Sequence, residues 1–215
     1  MVKKKFLVIG GLGNMGSRYC AILKYLGHDY DIHDINNVSD ELKTHYTDEY
    51  YGIIIATPTD THYQLIKSYH DSHPNAPILC EKPISKNIDE VKELCEKETL
   101  NLFMVDQYKY LYDWCNNFED EIPISIYDFF TSGVDGDWDF INIIKRSEGY
   151  ILIKNKSPVW TCYINGHRLD KGDLDLAYKE MISDFCDGKY SEFDNKSQIL
   201  EAHHKVIDYI REKND

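Results

Sequence analysis

The chain begins as an alternation of short, continuous apolar runs with longer stretches whose apolar residues recur at helical spacing. Phe6–Ile9, residues 51–56, Pro77–Cys80 and Leu102–Val105 are the runs. Hydrophobicity that is continuous, not alternating, predicts strands buried on both faces, as in a parallel sheet sandwiched by helices. Tyr30–His33 reads as a further strand. Between the strands, Met15, Tyr19, Ile22, Leu23 and Leu26 share one helix face that ends at Gly27. A short helix over Val38–His45 is capped by Ser39. Asp60 is placed to cap a helix carrying Tyr63, Ile66 and Tyr69 on one face, and Asn87 with Glu90 forms a capping box for a helix that buries Val91, Leu94 and Cys95. Strands alternating with helices to about residue 112 predict an α/β fold with a doubly wound parallel sheet.

The pattern then changes. Ile124–Phe130 reads as a strand, residues 131–137 as a polar glycine-containing loop, and residues 150–154 with 159–164 as a hairpin. Two amphipathic helices, over roughly 174–187 and 196–212, close the chain. The expected division is residues 1–120 as a Rossmann-type domain and 121–215 as a smaller α+β domain.

The first strand runs directly into Gly11-x-Gly13-x-x-Gly16. In a dinucleotide-binding turn the first glycine permits the tight turn, the second lets backbone approach a pyrophosphate, and the third lets helix pack on strand. The helix N-terminus then offers unpaired N–H groups to that anion, with the backbone of Asn14 and Met15 adjoining it. Asp34 ends the second strand about 20 residues beyond the glycines, where such folds place the carboxylate that holds the adenosine ribose. A negative charge there repels a 2′-phosphate, and Ile35, Asn36 and Asn37 supply no arginine to bind one, which favours NAD over NADP.

Composition narrows the classes. A chain of 215 residues can bury a sizeable core. Its net charge of −13 argues against nonspecific binding to nucleic acid or an anionic membrane. No apolar stretch approaches the length of a membrane span, and Phe6–Ile9 is too short for a signal-peptide core, so the expectation is a cytoplasmic protein. The cysteines at 20, 80, 95, 115, 162 and 186 contain no C-x-x-C pair, which suits reduced thiols. Of the histidines, His70 with His73 and His203 with His204 are the pairs that invite a metal. With no third ligand near either pair, solvent-exposed rings and no metal are expected.

Residues 53–62 (Ile-Ile-Ile-Ala-Thr-Pro-Thr-Asp-Thr-His) and 79–83 (Leu-Cys-Glu-Lys-Pro), taken with the glycine loop, resemble the glucose–fructose oxidoreductase/inositol dehydrogenase family, Gfo/Idh/MocA. The likeness covers roughly residues 3–112 and marks a shortened member with a reduced C-terminal domain. It implies that Lys82 sits beside the nicotinamide and moves the substrate hydroxyl proton, with Glu81 and Pro83 fixing it. Hydride loss from an alcohol carbon requires loss of its O–H proton, so a base must lie within hydrogen-bond reach. By the same likeness Thr57, Pro58 and His62 form the loop beneath the cofactor, while Tyr108 and Lys109 lie where the family has a substrate-facing aromatic and basic segment. Family members also carry an acid–histidine pair in a larger second domain. The nearest stretch here, residues 136–142, has no histidine, leaving Asp139 and Asn142 as polar contacts to substrate.

The expectation is therefore a nicotinamide-dependent oxidoreductase acting on a sugar, polyol or nucleotide-linked sugar, working as a homodimer. The alternatives are a dinucleotide-binding sensor or assembly protein without turnover, and reduction of a non-sugar such as a conjugated pigment.

Overall fold

The computed structural model describes residues 2–34, 49–107, 110, 140–145, 150–156, 159–164, 167–169 and 171–204. They fall into two compact units, Met1–Val105 with Ile182–Glu201, and Asp106–Met181 with Ala202–Asp215. The expected helix at 38–45, the strand at 124–130 and the loop at 131–137 lie outside the described residues.

The first unit is built on five parallel strands, β1 (Lys5–Ile9), β2 (Asp29–His33), β3 (Gly52–Ile55), β4 (Ile78–Cys80) and β5 (Leu102–Met104), in the order β2-β1-β3-β4-β5. Helices α1 (Asn14–Tyr25), α2 (His62–Ser72) and α3 (Ile88–Glu96) alternate with them. The continuous apolar runs behave as their pattern predicts. Phe6, Leu7, Val8, Ile53, Ile54, Ile55, Ile78 and Leu79 are all fully buried. Truncating any one of these isoleucines to alanine costs about 2–5 kcal/mol by the usual cavity term. The sheet belongs to the doubly wound class, in which ligands bind outside the carboxyl ends of the strands where the strand order reverses. Here that point lies between β1 and β3.

Register brings the strand ends into line. Ile9 pairs with His33 on one side and Ile55 on the other, Ile55 pairs with Cys80, and Cys80 pairs with Met104. The ladder continues one step further, from Gly10 N to His33 O (2.7 Å), Ala56 N to Ile9 O (2.9 Å), Glu81 N to Ile55 O (2.9 Å) and Val105 N to Cys80 O (2.8 Å). The residues that begin each loop therefore stand in one row.

A return of the chain closes this unit. In helix α4 (Lys171–Asp187), the last residues carry Phe185, fully buried against Phe6, Phe103 and Phe193. A side chain at Gly52 would meet the Phe185 ring at 2.9 Å, so the glycine leaves room for that ring. Residues 196–204 are helical, within the expected closing helix.

The second unit holds an antiparallel sheet of β6 (Phe140–Lys145), β7 (Tyr150–Lys156), β8 (Val159–Ile164) and β9 (His167–Leu169), in that order. β7 and β8 are the expected hairpin. β6 and β9 extend it on either side, and residues 140–142 belong to β6.

Three local expectations are corrected. Asp60 does not cap α2: the helix is preceded by a 3-10 turn, Thr59–Thr61, and the Asp60 carboxylate pairs with Lys86 at 3.1 Å. Asn87 caps α3 by accepting from Asp89 N (3.0 Å), but Glu90 does not reach back to complete the box. Its carboxylate accepts from the Ser85 hydroxyl, and Ser85 Oγ accepts the Asn87 N–H at 3.0 Å, so a serine two residues upstream occupies the box position. Finally, His70, His73 and His203 are buried, not solvent-exposed. His70 and His73 lie at the inner, C-terminal end of α2, where Nε2 of His70 meets Thr99 Oγ1 at 3.1 Å and His73 stacks on Tyr69. Among the described residues no cluster of three metal-ligating side chains occurs.

Candidate functional site

β1 passes into the glycine loop at the strand-order reversal. The left-handed residue of the turn is Gly10 (φ +77°), one position before the motif. Gly11, expected to permit the tight turn, serves packing instead: a Cβ there would lie 2.7 Å from Ile32 of β2. Gly16 has the role expected of it, since a Cβ would come within 2.1 Å of the Gly10 carbonyl oxygen and force α1 off the loop. Gly13 is exposed, and a Cβ on it would meet one atom within 4 Å, Gly10 O at 3.2 Å. It also caps α1 with extended backbone and no side-chain hydrogen bond, so no side chain competes for the first N–H groups of the helix. Asn14 and Met15 form the first turn, Asn14 exposed and Met15 half-buried. An anion approaching the loop thus meets bare backbone, which is the fit a pyrophosphate requires.

Asp34 follows β2 and is buried beside this loop, where its Oδ2 accepts the Leu12 N–H at 3.3 Å. The contact holds the carboxylate at the edge of the glycine turn. Just before it, His33 shares a hydrogen bond with the Tyr69 hydroxyl of α2, and burial pushes the His33 ring below its ordinary pKa.

Beyond β3, the Thr57–His62 segment folds tightly on itself. Thr61 Oγ1 donates within the turn, 2.8 Å from Thr57 Oγ1 and 2.7 Å from Pro58 O. Thr57 is half-buried and Pro58 exposed. A side chain at Gly10 would meet Ala56 O at 2.8 Å and Thr57 Cγ2 at 2.9 Å, so this segment and the glycine loop pack backbone to backbone. His62, 1% exposed, places Nδ1 2.8 Å from Pro83 O and Nε2 2.8 Å from Thr57 O. Both ring nitrogens are thus occupied by backbone carbonyls. Burial pushes the ring pKa down, while those two carbonyls and Asp60 favour the charged ring.

After β4 come Glu81, Lys82 and Pro83, with a cis peptide between the last two. Lys82 is 7% exposed, and its backbone N–H donates to Glu81 Oε2 at 3.3 Å. Glu81 Oε1 accepts a hydrogen bond from the Tyr19 hydroxyl of α1. Burial pushes the Glu81 carboxyl above its ordinary pKa, opposed by the Tyr19 hydroxyl and by the charge of Lys82.

The glycine loop, Asp34, Thr57, Pro58, His62, Glu81 and Lys82 therefore all gather at the carboxyl edge of one sheet. Tyr108, Lys109 and Asp139 lie outside the described residues, and Asn142 sits on β6, paired with Ile153. By periodicity Tyr19 falls on the apolar face of its helix, and its polar tip is the sequence signal that marks it. Gly10 escaped because the motif begins one residue later. A groove of about 530 Å³ in the same unit lies at the opposite edge of the sheet, lined by Lys3, Lys4, Lys5, Tyr50, Tyr51 and Tyr190 among others. It is remote from these loops in strand position. The chemistry-bearing residues are at the carboxyl edge.

Residues 24–106 match the sequence model of the Gfo/Idh/MocA group, described as an oxidoreductase family with an NAD-binding Rossmann fold. No curated protein matches the chain. Among solved structures, it is similar to a myo-inositol dehydrogenase from Corynebacterium glutamicum (TM-score 0.58, 15% identity, covering 96% of this chain and 95% of that one). It is also similar to the WlbA (WbpB) dehydrogenase from Thermus thermophilus in complex with NAD and UDP-GlcNAcA (0.57, 13%, 97% and 94%). A third is the UDP-N-acetylglucosamine 3-dehydrogenase GnnA from Acidithiobacillus ferrooxidans (0.55, 12%, 96% and 97%). At these identities the likeness is one of fold.

Proposed function

We propose that this chain, whose nucleotide-binding unit belongs to the Gfo/Idh/MocA oxidoreductase family, is an NAD-dependent oxidoreductase acting on a CH–OH carbon of a sugar, polyol or nucleotide-linked sugar. The observation that carries the reading is Lys82: a buried lysine at the carboxyl end of β4, next to Glu81 and two strands from the glycine loop. The solved structures of similar fold include dehydrogenases of inositol and of UDP-linked amino sugars, which is what favours this substrate class.

In this reading the backbone at Gly11, Gly13, Asn14, Met15 and Gly16 holds the pyrophosphate, and Asp34 holds the adenosine ribose and disfavours NADP. Thr57, Pro58, His62 and Glu81 shape the floor under the nicotinamide. Bound NAD supplies the hydride acceptor. Lys82 takes the hydroxyl proton as the substrate C–H bond is broken, and returns it to the carbonyl oxygen in the reverse direction. Glu81, held by Tyr19, keeps a negative charge beside the ammonium form so that the charge change at Lys82 is balanced locally. Tyr108, Lys109, Asp139 and Asn142 are proposed as substrate contacts. We place the protein in the cytoplasm as a homodimer; among the described residues no helix is long and apolar enough to cross a membrane.

The test is a fluorescence titration of the purified protein with NADH and NADPH, on wild type and Lys82→Ala, followed by a screen of polyols and UDP-sugars for NADH formation. Tighter binding of NADH that survives K82A, with turnover that does not, is expected. Failure of both dinucleotides to bind at millimolar concentration would end the reading. A second reading, a dinucleotide-binding sensor or assembly protein, is favoured by the missing histidine in residues 136–142. NADH binding without turnover of any screened substrate would support it.

A further inference from the structure

The environment of His62 raises a problem that the family motif does not. A neutral imidazole carries one N–H, and its other nitrogen is an acceptor. Both ring nitrogens of His62 face carbonyl oxygens at 2.8 Å, and a carbonyl oxygen can only accept. Two donors are needed to satisfy this arrangement, which requires the imidazolium form. The ring is 1% exposed, so no solvent stands ready to replace either partner.

We propose that His62 is a positioning residue for Lys82, a proton-dependent clamp that ties the loop after β3 to the loop after β4. Its two partners are Thr57 O and Pro83 O, and Pro83 is bonded directly to Lys82. Protonated, the ring donates to both loops and holds the Lys82–Pro83 peptide at a set distance from Thr57. Neutral, it can donate to one. The remaining nitrogen then turns a lone pair toward a carbonyl oxygen, and that contact must lengthen. The charged groups on the joined segments are Asp60, on the turn before His62 and paired with Lys86, and Glu81 and Lys82, which precede Pro83. Asp60 favours the cation, as do the two carbonyls, whereas burial opposes it, and burial is the largest of these influences. The clamp is therefore half-made while the ring is neutral and completes as pH falls and the ring takes up its proton. Its consequence for catalysis rests on the proposed role of Lys82; the clamp itself does not.

The experiment follows the full-length protein by NMR with 15N-labelled histidine and labelled backbone, between pH 5 and 8. The expected result is that the two His62 ring nitrogens become equivalent protonated nitrogens at low pH. The backbone amides of Lys82 and Ile84 on one side, and of Thr57 on the other, shift with the same midpoint. In His62→Gln, which offers a neutral donor to one carbonyl, these amides lose that shared midpoint. Ring nitrogens that keep one tautomer throughout, or Lys82 and Ile84 amides that ignore the His62 titration, would overturn the clamp. The wild-type titration decides the matter even if H62Q does not fold. For turnover, H62Q is expected to lower kcat about 10- to 100-fold, as small misplacements of a reacting group do. It also removes the fall in kcat that accompanies loss of the His62 proton as pH rises. Failure of NADH to bind at all would end the reading of Lys82 as a proton-transfer group and leave the NMR test of the clamp standing.

Discussion

The two edges of the five-stranded sheet are made from the same strands and the same helices, yet they are held together differently. At the amino edge, Lys3 pairs with Asp29 and Lys5 with Asp31, each at 2.8 Å, and Lys4 lies over the Tyr51 ring at 3.7 Å. The two ion pairs face water: the Lys3 and Asp29 side chains are 65% and 59% exposed, and those of Lys5 and Asp31 38% and 46%. At the carboxyl edge the polar bonds run inward and join one loop to another: Tyr19 to Glu81, His62 to Thr57 and Pro83, Leu12 to Asp34. Exposed ion pairs are screened and can exchange with solvent, so the edge they decorate tolerates change. Buried hydrogen bonds leave an unsatisfied partner when one side is removed, so the edge they build does not. Placement of a reacting lysine needs the second kind of construction.

The contrast can be broken most severely at Gly16. Gly16→Val would put side-chain atoms where a Cβ is already 2.1 Å from Gly10 O, and the contact is with backbone that cannot rotate away. The expected loss is more than about 3 kcal/mol of stability, or no folded protein at all, read from the urea midpoint. Lys82→Ala should leave that midpoint within about 1 kcal/mol and NADH binding intact, while turnover falls about 100- to 10,000-fold, as for loss of a general base. Asp34→Ala is expected to weaken NADH binding by about 1.5–3 kcal/mol and to narrow the preference over NADPH, measured by paired titrations.

Tyr19→Phe removes one hydroxyl from the buried edge and should cost about 1–3 kcal/mol. Its pH dependence has a defined sign. Burial raises the folded pKa of Glu81 above its ordinary value of 4.5, so the contribution of this group to stability is complete below about that pH and is lost as pH rises through the raised value. The Tyr19 hydroxyl favours the carboxylate and limits that loss. The gap in stability between wild type and Y19F should therefore widen from pH 4 to pH 8, and a gap that stays constant would show that the hydroxyl does not act on the ionised carboxyl. The smallest effect belongs to the other edge. Lys3→Ala is expected to change stability by less than about 1 kcal/mol and NADH affinity not at all.

Much of the first unit was legible because its signals are local. The apolar runs, the helix spacing and the Asn87 cap each depend on residues within a few positions of one another, and each recurs in the structure. Where an expectation failed, a partner distant in sequence or a crowded local alternative had intervened. Glu90 lost its capping role to Ser85, and Asp60 was drawn to Lys86. His70 and His73 look like surface histidines beside Pro74, but the C-terminal turn of α2 faces inward, and Tyr69, Tyr50 and Thr99 surround them.

By itself, then, the sequence determined the α/β class, the glycine turn, the place of Asp34 at the end of β2 and the presence of a Glu-Lys-Pro loop at the end of β4, because backbone sterics and hydrophobic periodicity are written in neighbouring residues. Tertiary structure alone decided that Tyr19 would hold Glu81 across 62 positions, that His62 would bridge two carbonyls and that Phe185 would complete the core beside Gly52. Those contacts exist only once parallel strands have brought separate loops into register, and no local pattern encodes the distance between two loops.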